Sequence, residues 1–174
     1  MNVIVEGPDG AGKSTLIDRL TTMRLYVPFR TQAGEGPPKY PREINERALR
    51  YLDMKNTIFD RHPCVSQPIY SQLRGKDEDI LPSTLLHFYE QDQLFIYCRS
   101  TRLTHHLVKS YEDPDHVATV EDKYAALVDA YDKWAVMRAN LIYRIGDDAE
   151  VVGTFIASHA LRRFNKDFDT TEPG

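Results

Sequence analysis

Eight residues near the start of the chain restrict its fold more than any others. Gly7-Pro8-Asp9-Gly10-Ala11-Gly12-Lys13-Ser14 spells G-x-x-x-x-G-K-S. An apolar run over residues 2–5 precedes it, and Leu16, Ile17, Leu20 and Met23 follow at helical spacing. The glycines let backbone N–H groups turn inward around a phosphate, and the helix N-terminus adds partial positive charge. A loop of this kind needs a strand to launch it and a helix to receive it, and its flanks predict both. Lys13 is placed to reach the β- and γ-phosphates of a donor, and the Ser14 hydroxyl to hold Mg²⁺. Gly7, Gly10, Ala11, Gly12 and Thr15 complete the donor site.

The remainder alternates between short apolar runs and helical patterns. Further strands are expected over 24–27, 56–61, 93–98 and 140–145, and helices over about 42–52, 63–73, 81–91, from 120 past Trp134, and over 150–163. The Gly- and Pro-rich stretch 31–43 reads as a loop. This order predicts an α/β fold with a five-stranded parallel sheet covered on both faces, as one domain over 1–164 with a polar tail at 165–174. Ligands in such sheets sit beyond the carboxyl ends of the strands, where 7–14, 28–30, Asp60-Arg61, Arg99 and 146–148 all fall.

Bulk properties exclude other classes. The chain has 26 acidic and 22 basic residues, a net charge of -4, which argues against a nucleic-acid polymer as partner. Its two cysteines, Cys64 and Cys98, form no CxxC pair and read as ordinary reduced thiols. No run approaches the ~20 apolar residues that span a bilayer. Glu6 and Asp9 interrupt the start too early for a signal peptide. The expectation is a soluble, cytoplasmic protein without a membrane partner.

Asp60-Arg61 ends the third expected strand. Beside a phosphate loop, Asp60 is placed to hold Mg²⁺ directly or through water, and Arg61 to neutralise a second or migrating phosphate. The alternative is a plain ion pair at a strand end. "VEGPDGAGKSTL" together with "DRHPCVSQPIY" resembles the thymidylate kinase family of P-loop nucleoside monophosphate kinases. That family's pattern is E-G-x-D-G-x-G-K-[ST], then D-R-[YH] followed by a serine and a tyrosine.

The resemblance implies a three-layer P-loop kinase fold with a lid at about 102–118. It also implies ATP and Mg²⁺, and phosphorylation of a deoxynucleoside monophosphate, dTMP or a related pyrimidine being favoured. Members are often dimers, so it implies a homodimer. Asp9 then meets the acceptor's 3'-hydroxyl, Arg61 its phosphate, and Ser66 and Tyr70 its pocket. Arg30 and Arg74 are further acceptor-side candidates, although "VPFRTQAG" around Arg30 departs from the family spelling. Lys109 is the lid cation for catalysis, and Arg99 and Arg102 lie nearer the donor base. Ser71 stands where the family has the glutamine that helps read thymine. The segment between the second and third strands is short, leaving Tyr40, Arg42, Arg47 and Arg50 to read the base.

Other features read more plainly. His105 and His106, adjacent on a helix, point about 100° apart and are poor joint ligands. Residues 146–148 fall where a donor adenine rests by resemblance, or Asp147 or Asp148 simply caps the last helix. Tyr124, Tyr131 and Trp134 make one helical face for the core or a dimer contact. The competing function is a deoxynucleoside kinase, whose neutral 5'-hydroxyl needs a carboxylate base; Asp60 and Glu35 are the candidates. A non-catalytic nucleotide-binding module is the third reading.

Overall fold

The computed structural model describes residues 1–23, 29–36, 38–40, 42–75, 80–100 and 114–169. The expected strand at 24–27, Arg102, Lys109, His105 and His106 lie outside them. The elements in chain order are β1 (Asn2–Glu6), α1 (Lys13–Thr22), β2 (Arg30–Gln32), α2 (Glu43–Leu52), β3 (Thr57–Asp60), α3 (Pro63–Arg74), α4 (Pro82–Glu90), β4 (Gln93–Arg99), α5 (Pro114–Arg138), β5 (Leu141–Arg144) and α6 (Ala149–Asp169). The five strands form one parallel sheet in the order β2-β3-β1-β4-β5.

All five residues of β1 are buried, as a central strand covered on both faces requires. Side chains alternate across it. Val3 and Val5 pack with Leu16, Ile17 and Leu20 of α1 and with Val152 and Ile156 of α6. Ile4 points the other way, into a cluster with Tyr51, Phe59, Phe88, Phe95, Tyr131 and Trp134 drawn from α2, α4, α5 and the neighbouring strands. Two helical layers thus enclose the sheet, the three-layer arrangement expected. Tyr124, Tyr131 and Trp134 are buried, which resolves the aromatic stripe of α5 as core. Among the described residues, no helix is long and apolar enough to cross a membrane.

Three element boundaries differ from expectation. A sheet strand lies at Arg30–Gln32, inside and just before the stretch read as a loop. Its residues are polar and mostly exposed, because β2 is the outer strand of the sheet and pairs only with β3. No apolar run announces such a strand. Helix α5 starts at Pro114, taking in the last residues assigned to the lid, and α6 continues to Asp169, past the start assigned to the polar tail.

The turn after β3 joins the layers. His62 is buried, and its Nδ1 accepts the Cys64 N–H at 3.2 Å, capping α3 ahead of Pro63. Its ring stacks on Phe88, with centroids 4.3 Å apart, and meets Tyr51 and Phe59 edge-on. Phe88→Ala therefore removes the wall that holds this turn. It should destabilise the protein by about 3–5 kcal/mol in urea titration, whereas a loss under ~1 kcal/mol would show that the turn does not lean on it.

Candidate active site

The carboxyl ends of β1, β3 and β4 face one edge, with Val5 level with Asp60 and Glu6 level with Tyr97. The glycine loop leaves β1 there. Gly7 has φ 149°, and a side chain on it would overlap the Cys98 carbonyl oxygen of β4. Gly12 has φ 78° at the N-cap of α1, and a Cβ there would stand 3.0 Å from Ile145. Both conformations favour glycine, and together they press the loop against β4 and the β5–α6 turn.

Lys13 is 7% exposed and folds back into the loop, donating to the Gly7 and Pro8 carbonyls at 3.0 and 2.8 Å. Burial, seconded by Arg61, pulls its ammonium down to about 8. A phosphate beside it would supply the counter-charge that burial makes valuable. Ser14 Oγ donates to Asp60 Oδ2 at 2.6 Å. Two adjacent hard oxygen donors, one anionic, at the mouth of a phosphate loop fit Mg²⁺. No cluster of three or more His, Cys, Asp or Glu side chains suited to a metal occurs among the described residues.

Asp9 puts a carboxylate inside a loop suited to a polyanion. Its Oδ1 pairs with Arg61 Nη2, and its Oδ2 accepts the Tyr70 hydroxyl at 2.8 Å. Burial alone would raise its pKa. Arg61, Lys13 and Tyr70 outweigh it and hold the carboxyl below the usual range. Arg61 lies at 5.4 Å and Arg74 at 5.7 Å from the Tyr70 ring centroid, so the phenol carries a guanidinium on each of two approaches. Asp9, Arg61, Tyr70 and Arg74 are thereby brought together beside the Lys13 loop. Ser66, half-buried one turn before Tyr70, gives its hydroxyl to the His62 carbonyl at 3.1 Å.

Other candidates are placed elsewhere. Arg30 opens β2 opposite Thr57, at the amino edge of the sheet, and is not among the acceptor-side groups. The expectation assumed that the second strand ended before it. Arg99 ends β4 as expected, but Asp132 of α5 binds it through Nε and Nη2 at 2.9 and 2.8 Å and also accepts the Tyr97 hydroxyl. Thr15 is exposed on the first turn of α1. Arg47 is buried and donates to the Glu35 and Gly36 carbonyls at 3.2 and 2.9 Å, while Arg50 and Tyr51 hold the Glu35 carboxylate at 2.5 and 2.8 Å. Tyr40 donates to Glu46 at 2.7 Å. Three of the four base-reading candidates therefore anchor local structure. Asp147 closes the turn after β5 by accepting the Arg144 N–H, and Asp148 accepts the Glu150 N–H at the start of α6.

Glu6 has no role in the sequence reading, yet it is 0% exposed directly before Gly7. Its Oε1 accepts the His62 N–H at 2.6 Å and its Oε2 the Tyr131 hydroxyl at 3.2 Å. Burial pushes its carboxyl up to about 7, opposed by the His62 N–H, Arg61, Lys13 and Tyr131. An acidic residue directly after the apolar run Val3-Ile4-Val5 is the signal available in the sequence.

No protein-family model matches the chain, and no curated protein matches it by sequence. Solved structures match it by shape. The YorR protein of Bacillus subtilis, in complex with phosphorylated GDP, superposes with a TM-score of 0.63 at 18% identity, covering 95% of this chain and 98% of that one. Deoxyadenosine kinase from M. mycoides, with products dCMP and dCDP bound, superposes with a TM-score of 0.53 at 17% identity, covering 95% and 99%. At such identities the shared property is the fold, an α/β fold with a five-stranded parallel sheet flanked by helices.

The buried Glu6 has a consequence for stability. Folded, it keeps its proton up to about pH 7, well above the ordinary carboxyl range. The folded state binds more protons in that window, so this contribution declines as pH rises through it. His62, held neutral down to about 3 by burial, acts in the opposite sense below 6.5. The comparison with Glu6→Gln isolates the first effect. In urea titrations from pH 5 to 7.5, wild type should lose stability relative to Glu6→Gln; a constant difference would contradict the burial of an ionisable Glu6.

Proposed function

We propose that the chain is an ATP-dependent phosphotransferase that converts a deoxynucleoside monophosphate, dTMP or a related pyrimidine nucleotide, to the diphosphate. The observation that carries this is the Asp9–Arg61–Tyr70 cluster beside the Lys13 loop. A guanidinium next to a triphosphate cradle is the group needed to hold a second phosphate, and a carboxylate facing it suits a sugar hydroxyl. The thymidylate kinase spelling of "EGPDGAGKST" and "DRH" supports the same assignment.

An acceptor phosphate oxygen is already anionic and needs no strong base, so the chemistry reduces to placement and charge neutralisation. Loop N–H groups and Lys13 receive the donor's phosphates, and its ammonium exchanges two backbone carbonyls for anionic oxygens. Ser14 and Asp60 are the residues that would hold Mg²⁺, which would supply charge neutralisation for the donor's phosphates. Arg61 turns part of its guanidinium from Asp9 to the acceptor phosphate; its pairing with Asp9 uses Nη2, leaving other donors of the five-donor fork for that contact.

A nucleoside acceptor is the second reading, favoured by the fold shared with a deoxyadenosine kinase. It needs a carboxylate able to accept the 5'-hydroxyl proton. Asp60 accepts from Ser14, Asp9 from Arg61 and Tyr70, and Glu35 from Arg50 and Tyr51, while Glu6 is fully buried. The Arg61 guanidinium beside the loop, which a neutral hydroxyl does not require, favours the monophosphate.

Steady-state transfer from ATP to dTMP tests the assignment. Lys13→Ala should lower kcat/KM by at least about 10³-fold. Asp9→Asn should raise the acceptor KM by about tenfold or more while leaving the ATP KM within ~3-fold. Full activity in Lys13→Ala, or a parallel rise of both KM values in Asp9→Asn, would contradict it.

A further inference from the structure

Arg61 has φ 69°, a left-handed conformation uncommon for a residue with a side chain. Such a conformation carries strain and persists only where its surroundings over-determine it. Two hydrogen bonds bracket it. The Arg61 N–H donates to the Val5 carbonyl at 3.0 Å, and the next amide, His62 N–H, donates to Glu6 Oε1 at 2.6 Å. The last two residues of β1 thus grip the two peptides on either side of the strained residue. The reversal turns the Arg61 side chain back toward Asp9 and the glycine loop.

The second oxygen of Glu6 reaches a different layer. Tyr131, 0% exposed, donates to Oε2 at 3.2 Å, and its ring stacks on Tyr97 of β4 with centroids 6.1 Å apart. Two helical turns earlier on the same face of α5, the Tyr124 hydroxyl donates to the Asp9 backbone carbonyl at 3.4 Å. One helix therefore touches both ends of the acceptor-side cluster. A fully buried carboxyl is expensive unless its hydrogen bonds are made, and here they join β1, the β3–α3 turn and α5. With no exposed surface and both oxygens engaged, Glu6 has no path to a substrate proton.

We propose that Glu6 is a positioning residue: its carboxyl group fixes the Arg61–His62 peptide, and through it the Arg61 guanidinium, by tying that turn to Tyr131 of α5. This rests on the assignment of Arg61 to the acceptor phosphate. It separates Glu6 from the general-base role that a carboxylate beside a phosphate loop invites.

The test compares Glu6→Ala, Glu6→Gln and Tyr131→Phe in the full chain. KM values for ATP and dTMP are measured alongside amide hydrogen exchange of the peptide that contains His62. Glu6→Ala should raise the dTMP KM at least about tenfold with the ATP KM within ~3-fold, and should speed exchange of the His62 amide by a similar factor. Glu6→Gln should restore both, because its amide oxygen accepts from His62 and its N–H donates to Tyr131. Tyr131→Phe should raise the dTMP KM severalfold. A kcat loss of about 100-fold or more in Glu6→Gln would mark a base and overturn the proposal, as would unchanged exchange or equal KM effects in Glu6→Ala. If Glu6→Ala does not fold, an unchanged dTMP KM and unchanged His62 exchange in Tyr131→Phe overturn it. If wild type phosphorylates no monophosphate, the acceptor assignment fails, and the exchange comparison still decides whether Glu6 fixes the turn.

Discussion

The ion pair between Asp9 and Arg61 joins the two halves of the site, and the remaining geometry depends on it. A loop that gathers N–H groups, a helix terminus and a lysine for a polyanion has no local use for a carboxylate. Asp9 is tolerable there because Arg61 and Tyr70 meet both of its oxygens. Its partner comes from the end of the neighbouring strand β3, so the pair also registers the glycine loop against the Asp60–Arg61 turn. Lys13, Ser14, Asp60, Arg61 and Tyr70 are thereby held on one edge of the sheet, the arrangement that the proposed phosphoryl transfer requires.

The same edge concentrates charges that a folded protein ordinarily keeps in water. Lys13 is buried against backbone carbonyls, and Glu6 is buried against an amide and a phenol. Burial moves both pKa values toward neutrality, Glu6 upward and Lys13 downward. The surrounding packing offsets this. His62 of the turn packs on Phe88, Tyr51 and Phe59, and Tyr131, which meets Glu6, packs on Tyr97 and Trp134 in the same core cluster. Helix α5 matters beyond the core, because Asp132 holds Arg99 where β4 ends and Tyr131 holds Glu6 where β1 ends.

What was legible in the sequence is what local pattern encodes. The glycine loop, the strands β1, β3, β4 and β5 and the helices α1 to α4 announce themselves by spacing and apolar runs, and the five-stranded parallel sheet follows. Strand β2 did not, since Arg30, Thr31 and Gln32 are polar residues on an outer strand whose identity comes from pairing with Thr57–Asp60. That displacement carried Arg30 to the wrong edge. Arg99 was placed correctly at the end of β4, but its partner stands on α5, 33 positions away, and no spacing rule links them. The short segment between the second and third strands leaves Arg47 and Arg50 as candidates to read the base; the fold uses them on Glu35 and the backbone beside it. Glu6 was visible as an acidic residue closing a strand, while its burial and its link to Tyr131 exist only once β1, β3 and α5 meet.

Phosphorus NMR of ATP incubated with the protein against a matched panel of deoxynucleosides and their 5'-monophosphates tests the central claim most directly. The account predicts new diphosphate resonances with monophosphates, strongest with dTMP or a related pyrimidine nucleotide, and no new monophosphate signal from the nucleosides. Monophosphate formed from nucleosides, with the monophosphates left untouched, would contradict it.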